Sequence, residues 1–138
     1  MKFQRIPAAN RKRSEKDIQE MQDMCGYFSP LNSWLRSQIE SASDVVYAME
    51  ENILYGYIIL DKKPKHLEIE LICVGQEGQK RKGIGKSLMQ EAEEIAKDYG
   101  LFKIELDSQF AAEGFYKKLN FNEISRNNHG VRMKKTLN

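Results

Sequence analysis

KRKGIGKS, residues 80–87, lies between an apolar run ending at Val74 and a segment with helical periodicity beginning near Ile84. Gly83 and Gly85, one residue apart, let the backbone come close to a ligand, and a helix starting here points its unpaired amides at the same place. Lys80, Arg81, Lys82 and Lys86 crowd this turn. An anionic group is the natural occupant, and a phosphate-bearing cofactor is the first expectation. The competing reading is a solvated basic loop ahead of a glycine-rich helix start.

Two better-known phosphate motifs fail on spacing. Gly85-Lys86-Ser87 ends like a P-loop, but that motif needs its first glycine where Lys80 stands, and Gly78 lies two positions too early. A dinucleotide fingerprint would need a third glycine after Gly83-Ile84-Gly85, where the chain has Ser87 and Leu88.

The chain of 138 residues is of single-domain size, and its 41% hydrophobic and 30% charged content is that of a globular protein. Lys and Arg number 22 against 20 Asp and Glu, so the basic turn is local and bulk nucleic-acid binding is not favoured on charge. Cys25 and Cys73 lack metal-type spacing, and no metal centre is expected. Cys73, in an apolar strand-like run, reads as a small core residue without a partner, which fits a reducing compartment. Residues 1–13 hold no apolar stretch of signal type and no run approaches membrane-spanning length, so a cytoplasmic protein is expected.

Periodicity supplies the elements. Residues 2–6 read as a short strand stopped by Pro7. Ser14 with Asp17 makes a capping start, and Ile18, Met21 and Cys25 then share one helical face. Ser29-Pro30 opens a second helix with Leu31, Trp34, Leu35 and Ile39 as its stripe. Strands over residues 45–49 and 53–60 flank a turn at Glu51-Asn52, and a third strand covers residues 67–74. The long helix aligns Ile84, Leu88, Ala92, Ile95, Ala96 and Tyr99 and stops at Gly100. A half-buried strand through Ile104 and Leu106 follows, then a short helix marked by Ala112, Phe115 and Leu119. Residues 121–126 and 131–137 close the chain as a hairpin. The order β-α-α-β-β-β-α-β-α-β-β describes an α/β fold, a mixed central sheet with helices on both faces, as a single domain over residues 1–138.

The segment from Leu67 through the glycine turn into the long helix, followed by AAEGFYKKLNF at residues 111–121, resembles the GNAT superfamily of acyl-CoA-dependent N-acetyltransferases. Two separated motifs stand in the family's order, and the element order matches over essentially the whole chain. Two positions depart from the pattern. The signature (Arg/Gln)-x-x-Gly-x-(Gly/Ala) has Lys80 in first place, with Gln79 one step earlier, and the loop over residues 74–83 is about one residue longer; lysine still brings charge and a donor. Asn120 stands where the late motif usually has glycine, and asparagine tolerates the left-handed conformation of a helix stop.

The resemblance implies acetyl-CoA as donor, a primary amine of a small molecule or protein as acceptor, and direct attack of the amine on the thioester. In that reading Lys80, Arg81, Lys82, Gly83, Ile84, Gly85 and Lys86 hold the pyrophosphate through amides and charge. Ile72, Cys73 and Val74 present backbone groups to the pantetheine arm, the Val74 amide facing the thioester oxygen where charge builds. Tyr116 occupies the general-acid position. A phenol with a pKa of about 10 protonates a thiolate of about 8.5 only uphill, so its help is mainly a hydrogen bond. Gln109 falls near the cofactor, where the family often has asparagine.

For the base, strict alternation puts Glu68 and Glu70 on the face of Ile72 and Val74, opposite Leu67, Ile69, Leu71 and Cys73. A carboxylate there can take the ammonium proton directly or through water. Glu68, six residues before Val74, matches the family's base position best, and His129 is a further candidate in a turn. Tyr27, Phe28 and Trp34 are candidates for the acceptor groove. Nucleic acid and membrane are not expected as partners, and a homodimer is left open. The alternative is a non-catalytic CoA-binding sensor, or a phosphate-binding interaction module using Arg11, Lys12, Arg13 and the loop cations.

Overall fold

Apolar residues at period two in some segments and 3.6 in others dictate strands and helices that each bury one side. In a computed structural model, residues 1–26 and 30–138 are described. They form seven strands: β1 (Lys2–Arg5), β2 (Asp44–Glu50), β3 (Ile53–Lys62), β4 (Leu67–Val74), β5 (Lys103–Ser108), β6 (Asn122–Asn127) and β7 (Gly130–Thr136). One sheet holds them in the order β1-β2-β3-β4-β5-β7-β6, mixed because β4 and β5 run parallel while the other pairs are antiparallel. The helices are α1 (Glu15–Asp23), α2 (Asn32–Ser41), α3 (Gln76–Gln79), α4 (Ile84–Asp98) and α5 (Glu113–Lys118). None is long and apolar enough to cross a membrane.

α4 buries Ile84, Leu88, Met89, Ala92, Ile95 and Ala96 against Val46, Ile58, Leu60, Leu67, Ile104 and Leu106. Each buried Ile, Leu or Met contributes about 2 kcal/mol. α1 and α2 cover the opposite face with Ile18, Met21, Leu35 and Ile39 on Val45, Tyr57 and Ile59. α4 ends at Gly100 (φ 70°), where the Leu101 amide reaches the Ala96 carbonyl at 2.8 Å and the Gly100 amide reaches Lys97 at 2.9 Å. α5 ends the same way, with Asn120 at φ 72° taking the left-handed position expected of it.

Three expectations change. α2 begins at Asn32, and Leu31 at its cap is 74% exposed, so only Leu35 and Ile39 of the expected stripe are buried while Trp34 is 37% exposed; Ser29 lies outside the described residues. Cys73 is not an unpartnered core residue: it is disulfide-bonded to Cys25 just beyond α1, with Cα atoms 5.5 Å apart. The pairing was hidden because 48 positions separate the two.

The third change concerns strand phase. Leu60 pairs with Ile69 and Ile59 with Leu71, which leaves Glu70 as an extra residue in β4. This bulge reverses the alternation. Leu67 and Ile69 share the α4-side core with Ile72 and Val74, whereas Leu71 and Cys73 pack on the α1–α2 side. Glu68 and Glu70 therefore lie on the α1–α2 face, not with Ile72 and Val74.

Candidate active site

β4 and β5 pair only from Leu67–Ile104 to Ile69–Leu106. Beyond Ile69, β4 keeps β3 on one edge and, among the described residues, has no strand on the other. The Gly75 amide reaches back to the Tyr55 carbonyl at 3.0 Å, so by strand alternation the Val74 amide faces the open edge. The Val74 carbonyl, facing the same way, accepts Gln79 Nε2 at 3.0 Å. The wedge between the strands opens into a cavity of about 430 Å³ lined by Glu70, Ile72, Cys73, Val74, Asp107, Gln109 and Tyr116, closed on the α1 side by Met24 and Cys25.

Val74 and Gln79 also border a second cavity, of about 370 Å³, with Arg81, Gly83, Ile84, Gly85, Lys86 and Phe115. This is the first turn of α4. Its N-cap Gly83 sits at φ 87°, no side chain caps the helix and no acidic residue stands in the first turn, so the amides of Ile84, Gly85 and Lys86 are open to an anion. A Cβ added at Gly83 would meet nothing within 4 Å, but the backbone there is left-handed, whereas a Cβ on Gly85 would lie 3.3 Å from the Phe115 ring. The two glycines thus have different reasons: one serves the turn, the other the packing of α4 on α5.

The four loop cations are not equivalent. Lys80 pairs with Glu77 at 3.0 Å, and Arg81 pairs with Glu50 while stacking 4.4 Å from the Tyr55 ring centroid. Lys82 and Lys86 form no ion pair among the described residues. α3, one turn not expected from the sequence, occupies the lengthened loop. Its Gly78 fits under Tyr55, where a Cβ would meet the carbonyl oxygen at 2.6 Å.

Tyr116 is 7% exposed, edge-on to Phe115 and Phe121 with centroids 5.1 and 5.8 Å away. Burial pushes its hydroxyl up to about 12. So raised, the phenol is a hydrogen-bond donor and a poor proton source.

The two glutamates differ. Glu68 is gripped by Arg132 through both oxygens, at 2.6 and 2.7 Å, and lies 2.8 Å from His66 Nε2. Glu70 faces the cavity without such a cation, and its carboxyl is raised above the ordinary range by burial and then by the charges of Asp61 and Glu68. Gln109 borders this cavity and a neighbouring one of about 490 Å³, which His129 lines instead. Trp34 lines neither, and Tyr27 and Phe28 fall outside the described residues.

Sequence reading missed Asp61, Arg132, Gln79 as the anchor of the Val74 carbonyl, and Phe115 as the lid over Gly85. Period-two alternation places Arg132 between buried Val131 and Met133, which was the one available signal. The phosphate-module alternative loses two of its three N-terminal cations, Lys12 staying exposed: the Arg11 guanidinium is buried, donating to the carbonyls of Ile6, Ala42 and Ser43, and Arg13 bonds the Tyr47 hydroxyl at 3.2 Å.

No curated protein matches the chain. Solved structures do. The ribosomal-protein-S18-alanine N-acetyltransferase of Escherichia coli superposes with a TM-score of 0.79 at 13% identity, over 99% of this chain and 93% of its own. The IAA acetyltransferase of Bacillus cereus gives 0.76 at 22% identity over 98% of both chains. The PaiA N-acetyltransferase of Thermoplasma acidophilum, solved with coenzyme A, gives 0.71 at 23% identity over 99% of both. At these identities the likeness is one of fold. The sequence itself matches the family described as the acetyltransferase (GNAT) domain over residues 13–136, which takes in the splayed strands, the glycine turn and Tyr116 alike. The chain belongs to the GNAT acetyltransferase family.

Proposed function

We propose that the protein transfers the acetyl group of acetyl-CoA to a primary amine by direct attack within the wedge between β4 and β5. The observation that carries this reading is the open edge of β4: the Val74 amide, the uncapped start of α4, Tyr116 and Glu70 border two cavities that share Val74 and Gln79 as walls. The α4 amides, with Lys82 and Lys86, take the pyrophosphate. Pantetheine adds along β4 as a strand would, through Ile72 and Val74.

Glu70 removes a proton from the ammonium group. The freed amine attacks the thioester carbon; the N–C bond forms while charge on the oxygen is met by the Val74 N–H. The C–S bond then breaks as the carbonyl re-forms and the nitrogen gives its second proton to water, and the thiolate accepts a hydrogen bond from Tyr116 before taking a proton from water. A carboxyl raised by burial suits the base, since it takes the proton more readily at neutral pH than an ordinary carboxylate.

Release of CoA thiol from acetyl-CoA, measured with a panel of primary amines that includes alkylamines, diamines and peptide N-termini, tests the proposal. Amine-dependent thiol release is expected. CoA binding by calorimetry without such release from any amine would make the protein a sensor.

A further inference from the structure

The charges on the α1–α2 face treat the two glutamates of β4 unequally. Arg132 on β7 forks onto Glu68 and also reaches Glu105 at 3.1 Å and Asp107 at 3.3 Å. His66 lies between Glu68 and Glu105, at 2.8 and 3.7 Å. Lys103 completes this side at 3.4 Å from Glu105. Glu70, at the bulge, is outside the network. Its charged neighbours are Asp61 on β3, Glu68 along its own strand, Lys63 beyond the end of β3, and Asp107 on the wall of the shared cavity. From the α1 side Met24 and Cys25 border the cavity among the described residues. Asp61 is itself fixed, its Oδ1 accepting the Ser43 amide at 3.1 Å.

A base that gains and loses a proton in every turnover needs accessible lone pairs. A carboxylate in a bidentate guanidinium fork has both oxygens engaged. We propose that Arg132 is a positioning residue for the reaction: its fork withdraws Glu68 and cancels its charge, which leaves Glu70 as the carboxylate that carries the proton. This rests on Glu70 being the base of the proposed transfer. Without Arg132, the charges of Glu68, Glu105 and Asp107 bear unscreened on Glu70, and its carboxyl holds a proton to higher pH. Without Asp61 the proton leaves at lower pH.

Carbon-13 enrichment of glutamate carboxyls in the full chain gives a direct readout that needs no acceptor, with the Glu70 signal assigned by its loss in Glu70→Gln. Arg132→Gln should raise the Glu70 titration midpoint by about one pH unit, and Glu68→Gln should lower it. The double variant should return close to wild type, and Arg132→Lys, which keeps a charge but not the fork, should move it less. Asp61→Asn should lower it. An unmoved midpoint in Arg132→Gln, or a double variant shifted as far as Arg132→Gln alone, overturns the proposal. Should Arg132→Gln fail to fold because Glu68 is orphaned, Arg132→Lys and the double variant, which orphans nothing at that pair, decide the matter. The base assignment is probed apart from this, by the pH profile of thiol release with n-propylamine. An acid limb that persists in Glu70→Gln removes Glu70 as base while leaving the titration result standing.

Discussion

The two faces of the sheet are built from different materials. On the α4 side, the groups turned toward a ligand are backbone amides, those of Val74 at the open edge and of the first turn of α4. On the α1–α2 side they are side chains brought together by the fold: Cys25 to Cys73 across 48 residues, Arg132 to Glu68 across 64, and Asp61 opposite Glu68 on β3. Amide direction follows from strand phase and helix start, so the first site is local in sequence. The second exists only in the folded chain. Changes on the α4 side should therefore act on cofactor affinity, and changes on the other face on rate, pH dependence and stability.

The largest effect is expected at Glu70. Glu70→Gln should lower neutral-pH transfer by about 10²- to 10⁴-fold, the range of a single general base, with CoA affinity unchanged. The raised carboxyl places the acid limb of the wild-type profile above the ordinary carboxylate range, since the base works only when deprotonated. High pH should partly rescue the variant by deprotonating the amine without help. A parallel loss of CoA affinity would mean that the faces are not separable.

Next in size is the disulfide. Replacing Cys25 and Cys73 together by serine removes a link that closes a long loop, which the chain-entropy account values at about 3–4 kcal/mol. Urea melts should show a lower midpoint with CoA affinity intact. If the variant binds CoA more weakly in proportion, the link is supporting β4's open edge and not only the α1–α2 face.

Gly83→Val tests the opposite side. Its φ of 87° is strained for a β-branched residue by about 1–3 kcal/mol, although nothing clashes there. CoA affinity should fall about tenfold to a hundredfold, and the strain should lower the melting temperature by a few degrees. Gly85→Val should differ in the source of its destabilisation, a contact of its side chain with the Phe115 ring and not backbone strain. Wild-type CoA affinity in Gly83→Val would deny the turn its role.

Legibility in the sequence divides along the same line. The α4 stripe, the Gly100 and Asn120 stops and the Glu51-Asn52 turn, whose φ values of 52° and 66° mark a tight hairpin, all follow from patterns a few residues long. The face of Glu68 and Glu70 was misread because alternation assumes an unbroken strand, and the inserted residue shows only in the register with β3. Asp61 and the cysteine pair carried no local signal, and alternation gave Arg132 only a face, since each acquires its meaning from a neighbour on another strand or helix. Trp34 was misplaced for a related reason: helical spacing fixes a stripe's period, but the start of the helix fixes where the stripe points.

The smallest effect is expected at Tyr116, which sits where the two faces meet. Its hydroxyl, pushed up to about 12 by burial, gives up a proton to a thiolate of about 8.5 only at a steep cost, so donation of a hydrogen bond is the stronger contribution. A hydrogen bond to a charged acceptor is worth about 1.5–3 kcal/mol, and Tyr116→Phe should lower the rate about tenfold with little change in affinity. The ring's contacts with Phe115 and Phe121 survive that substitution, so stability should hold. The high pKa adds a second readout. If the neutral hydroxyl is the donor, the wild-type rate should show no falling limb from its ionisation up to about pH 11. A basic limb near pH 9 that disappears in Tyr116→Phe would instead mark a phenol acidified in the complex and acting as a true proton donor, and cofactor binding would then have to reverse the desolvation that dominates the free enzyme.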